Sequence, residues 1–135
     1  MISSLMLAAV LVAAPTKTTP VEVLAVCRFN AALADEALMH HVVELTGVVT
    51  EVERDGIGGY IVRLDGETHE SDFIGRVEIC CHFVGTARPA LAGIKPGQPV
   101  TIRGVPRDLR DHLSFSLDKN VRIKMKDCEL LVAAP

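Results

Sequence analysis

The chain has no tryptophan, one tyrosine and four phenylalanines, an aromatic share of 4%. A core without large rings must be built from Val, Leu, Ile and Ala, and few rings are left to stack on nucleic-acid bases. Positive charge is not in excess either. The net charge is −3, so no overall basic field attracts phosphate backbones, although a local basic stripe stays open. No GxSxG, P-loop or HExxH string occurs, nor any CxxC pair or HxxxH spacing. An enzyme, a metal centre and a bound cofactor are therefore all left without a signature. Cys80, Cys81 and His82 are consecutive, but neighbours on a strand face opposite sides, so they cannot easily converge on one ion. His40-His41 stands alone at a helix-to-strand junction. Asp and Glu are spread as solvated charges normally are. We therefore expect a protein that is not an enzyme, with no cofactor and no metal.

What remains is a globular composition. The 135 residues are 49% hydrophobic and 23% charged, which excludes disorder and suits one domain with a short leader. Ile2 to Ala14 is apolar or small throughout. It falls short of the roughly 20 residues of a membrane span and has the length of a signal-peptide core. Val12-Ala13-Ala14 supplies small residues for cleavage, with Pro15 behind. No Lys or Arg precedes the run. Residues 1–14 are read as a signal peptide, which places the protein in the periplasm or outside the cell. The alternative is an apolar N-terminus of a cytoplasmic protein. Leu24-Ala25-Val26-Cys27 is rejected as a lipid-attachment site, because Val26 is too bulky and polar residues separate it from the apolar run.

Residues 15–19 read as a linker and 20–40 as one helix. Thr19 caps it, Pro20 suits the first position and Glu22 closes a capping box. Leu24, Cys27, Ala31, Ala34 and Leu38 recur at helical spacing, so this face must lie against something. From Val43 the period becomes two. Val43, Leu45, Gly47 and Val49 share a face, and the pattern slips near Gly47, as at a strand bend. Asp55 to Gly59 is a turn, Tyr60 to Leu64 a second strand, and Asp65 to Asp72 a loop. Val77, Ile79, Cys81 and Phe83 then alternate with Arg76, Glu78, Cys80 and His82. Val84 to Lys95 is a connector with one helical turn around Ala90 to Ala92. Val100, Ile102 and Gly104 mark a fourth strand. Arg107 to Asp111 reads as a loop, and His112 to Leu117 as a short strand lengthening a hairpin. Val121, Ile123 and Met125 alternate with Arg122, Lys124 and Lys126, and a parity change points to a bulge near Asp127. The expectation is a mainly β protein: a five-stranded closed barrel of the OB type over residues 41–131, preceded by one packed α-helix and followed by a tail at 132–135.

Four stretches in order carry a likeness. They are Phe29-Asn30 with an Ala-rich helix end, Val43-Glu44-Leu45-Thr46-Gly47-Val48-Val49, Gly97-Gln98-Pro99-Val100-Thr101-Ile102-Arg103-Gly104, and Lys126-Asp127-Cys128-Glu129-Leu130. With Cys81 and Phe83 as a Cys-x-Phe element, the chain resembles the bacterial tRNA-anti-like family of OB-fold proteins over about residues 25–131. The stretch from Arg107 to Asn120 is longer than that family leads one to expect. The resemblance implies an OB barrel with a leading helix and little about activity, since the name records a fold likeness.

In an OB barrel the third and fifth strands are neighbours, so Cys81 and Cys128 are candidates for a disulfide; the alternative is two buried thiols. Cys27 reads as a small core residue and Cys80 as partly exposed. A ligand or nucleic-acid face would draw on Arg122, Lys124 and Lys126, with Arg63 and Arg103 adjoining, and on Tyr60, Phe73 or Phe115 as exposed rings. Against this, alternating Lys and Arg also simply solvate a strand and guard it from edge pairing. The first functional reading is a non-enzymatic exported module that binds a protein or small polar ligand or serves as an accessory domain. The second is a single-stranded nucleic-acid-binding protein.

Overall fold

The computed structural model describes residues 16–70, 73–113 and 119–133. The leader at 1–14 and the ring of Phe115 lie outside them. Two short helices precede the barrel strands, α1 (Pro20–Phe29) and α2 (Ala31–Leu38). The Thr19 hydroxyl accepts from Glu22 N–H at 3.3 Å and donates to the Glu22 carboxylate at 3.0 Å, the expected cap. The single helix expected over 20–40 is divided at Asn30. There the backbone is extended (φ −163°), the N–H donates to Val26 O at 2.9 Å, and Oδ1 accepts from Leu33 N–H at 3.2 Å. Asn30 thus ends one helix and begins the next, because its side chain offers the backbone a partner that a continuous helix does not.

The strands are β1 (Thr16–Thr18), β2 (Val43–Arg54), β3 (Tyr60–Glu70), β4 (Phe73–Phe83), β5 (Pro99–Leu113) and β6 (Lys119–Ala133). The order β1-β2-β3-β4-β6-β5, with β5 returning to β2, closes a five-stranded barrel of the OB type. The β4–β6 pairing is parallel and the other barrel pairings are antiparallel. The first half of β2 pairs with β5 through Val43 to Val48, the second half with β3 from Val49 to Arg54. The irregularity between the halves falls between Val49 and Glu51, three residues beyond Gly47. Beside the first half lies β1, parallel, with Thr16 opposite Val43. The segment expected as linker is therefore a strand.

Three loop or tail assignments are corrected in the same way. Asp65 to Glu70 continues β3 opposite Phe73 to Glu78. Arg107 to Asp111 continues β5, paired with β6. Val132 and Ala133 belong to β6, opposite Thr101 and Val100. Backbone ladders extend past the segments whose side chains alternate, so polar composition did not end the strands. The connector holds a 3-10 turn (Gly85–Ala87) and the one-turn helix α3 (Arg88–Leu91), two residues before the expected turn.

Aliphatic residues fill the barrel: Leu45, Leu64, Ile79, Ile102, Ile123 and Met125 are all fully buried. Val23, Leu24 and Cys27 of α1 join that core. The helix lies close because two glycines admit it. A Cβ on Gly66 would stand 2.8 Å from Cβ of Pro20, and one on Gly47 would stand 3.0 Å from its Cγ. Gly47 is thus the seat of the helix start rather than the bend of the strand. Asp127, with φ of 55°, forms the bulge expected in β6.

Candidate ligand-binding face

Strand parity sends Ile61, Arg63 and Asp65 of β3, Arg76, Glu78, Cys80 and His82 of β4, and Arg122, Lys124 and Lys126 of β6 to the outer wall. Register sets them in rows. Arg63 stands opposite Cys80, which stands opposite Lys124, and Asp65, Glu78 and Arg122 form the next row. The basic residues therefore do share a face, but acids share it too. The guanidinium of Arg63 pairs with Glu51, with Glu53 at 3.1 Å and with Glu78 at 3.7 Å. Burial works to lower its pKa, but Glu78, the Cys80 thiol and Glu51 together hold it above the usual arginine value. Arg122 pairs with Glu78 at 3.1 Å and Arg76 with Glu67 at 3.3 Å. Lys124 and Lys126 are exposed and make no ion pair among the described residues.

Arg103 does not adjoin this stripe. It sits on the β2–β5 seam, where it pairs with Glu44 at 3.1 Å. Tyr60 is half-buried against the core, and its hydroxyl accepts from Arg88 Nε at 2.8 Å. A ring held that way is a poor stacking platform. Cys80, expected to be partly exposed, is buried on the outer wall, where its thiol reaches Glu78 Oε1 at 3.5 Å. Burial and the Glu78 charge push that thiol up, the reverse of what a nucleophile needs.

A groove of about 520 Å³ runs along the β3–β4–β6 wall, lined by Asp65, Glu67, Arg76, Glu78, Asn120 and Arg122 among others. It is polar and of mixed sign. Partial burial, aided by Glu78, pushes the Asp65 carboxyl above the usual aspartate range. Asn120 Oδ1 has no hydrogen-bond partner among the described residues. Further up the wall a second cleft, about 380 Å³, opens between the β2–β3 turn and the end of β4, with Asp55, His82, Val84 and Lys126 on its sides. Asp55 orders that turn by accepting from Ile57 N–H at 2.8 Å and Gly59 N–H at 2.9 Å, which holds its carboxyl below the usual range. No group of three metal-ligating side chains is gathered among the described residues, and none of their helices is long and apolar enough to cross a membrane.

Sequence reasoning found the basic residues and missed the acids that answer them, Glu51, Glu53, Glu67 and Glu78. Glu78 was in view as a member of the Arg76–His82 parity class, but the approach of Arg63 and Arg122 to it depends on registers between distant segments.

No protein-family model and no curated protein matches the chain. Among solved structures it is similar to a Klebsiella pneumoniae protein described as a candidate nucleic acid-binding lipoprotein, at 18% identity and a TM-score of 0.59, covering 90% of this chain and 95% of that one. It is also aligned with a candidate aspartyl-tRNA synthetase from Leishmania major at 9% identity and a TM-score of 0.47, over 91% of this chain and 22% of that one. The Klebsiella likeness carries the OB-type fold, and at that identity nothing beyond it.

Proposed function

We propose that the chain is a non-enzymatic, exported OB-fold binding module that takes a donor-bearing polar ligand, a peptide segment or small molecule, along the β3–β4–β6 groove. The observation that carries this reading is the charge matching. Arg63, Arg76 and Arg122 are each answered by a carboxylate on their own face, and Asp65 and Asn120 leave acceptors over. Polyanion binding releases counterions only where cations are available to phosphates, and here the guanidiniums are already engaged.

The second reading, single-stranded nucleic acid, is favoured by Lys124 and Lys126, which stand free of ion pairs among the described residues, and by the description given to the Klebsiella protein. Fluorescence anisotropy with a labelled mixed-sequence DNA oligonucleotide separates the two. We expect no binding at micromolar protein in low salt. Micromolar binding that weakens at least tenfold as salt is raised about fourfold would establish the second reading instead.

A further inference from the structure

The barrel's parallel seam turns two thiols toward the same core. Cys81 stands opposite Met125 in the β4–β6 register, fully buried. Three residues later the Asp127 bulge reverses the parity of β6 and packs Cys128, half-buried, against the core. The Cys128 thiol is near enough to be the chief cause, ahead of burial, of the raised pKa of Cys81. Gly104 on β5 makes the room: a Cβ there would stand 2.8 Å from Cys128 Sγ. Cys80, although adjacent in sequence, lies on the outer wall with its thiol toward Glu78. Sequence neighbours on opposite faces of one strand are poor partners.

We propose that Cys81 and Cys128 are a built redox pair that closes as a β4–β6 disulfide when the protein meets a small-molecule disulfide. Cys128 is the entry point, because solvent reaches it and not Cys81. Its thiolate attacks one sulfur of the external disulfide, forming a mixed disulfide and releasing one external thiolate, which takes up the proton Cys128 lost. Cys81 then gives up its proton, attacks the Cys128 sulfur and displaces the second external thiol. Two electrons and two protons pass from the pair to the reagent, which leaves as two thiols. The neighbouring Cys128 thiol and burial favour the protonated form of Cys81, which leaves the first attack to Cys128.

The test equilibrates the full chain with oxidised glutathione under native conditions, then alkylates, digests and maps it. The expected result is loss of two alkylatable thiols, one cross-linked peptide joining Cys81 to Cys128, and a melting temperature raised by about 5 °C or more that returns on reduction. A Cys27→Ala/Cys80→Ala variant should keep the cross-link. Four alkylated thiols after equilibration, a glutathione adduct on Cys128 that never resolves, or a cross-link through Cys80 or Cys27 would overturn the proposal. The primary readout is on the unsubstituted protein, so a variant that fails to fold does not blunt it.

Discussion

His82 shows how the outer wall sets the behaviour of one side chain. Burial chiefly, then the charges of Lys126 and Lys124, lower its pKa, with Asp55 pulling the other way. A base with a depressed folded pKa binds protons more readily when unfolded, so its contribution is fully present above the unfolded value of about 6.5. As pH falls below that value the unfolded state gains the proton first. Stability declines until the pH has passed the lower folded pKa. Histidine NMR titration should place His82 below 6.5, and Lys126→Gln should move it upward while leaving the fold intact. A His82 that titrates normally and ignores Lys126→Gln would remove Lys126 from its surroundings. The same scale explains why the basic stripe makes no strong field of its own. Arg63 and Arg122 are positive as residues and close to neutral as neighbourhoods.

Elements meet through details that composition does not advertise. Pro20 was legible as a helix start, and it is also the wedge between Gly47 and Gly66. Gly66→Ala should cost about 1–3 kcal/mol through overpacking, read as a lower urea midpoint at unchanged m-value; a loss within experimental error would mean the helix yields without strain. The alternating strands, β4 and β6, were legible because one face is buried and the other wet, and the Asp127 parity change showed directly. The far halves of β3 and β5 were not legible. Asp108, Arg110 and Asp111 have the composition of a loop, yet their backbone pairs with β6 whatever the side chains are. Asn30 hid in a helical period because the apolar spacing continues across it.

For the whole molecule, the five barrel strands and the helical lead-in followed from periodicity, whereas the outer-wall site depended on contacts between segments far apart in sequence. Glu51 and Glu53 reach Arg63 only because β2 and β3 pair as a hairpin, and Arg122 reaches Glu78 only across the parallel seam. The short strand at the start has a consequence for how the chain lives in a crowd. Where β3 leaves β2, the first half of β2 would show bare N–H and C=O groups on one side, and β1 occupies that side from Val43 to Leu45. Such an edge is a template for another chain. A truncation that begins at Thr19 should therefore fold to a barrel that self-associates, eluting earlier and concentration-dependently in size exclusion while the full chain does not. A truncated protein that stays monomeric at high concentration would show that β1 guards nothing. On this view the first three strand residues serve as a stopper against company rather than as a strut.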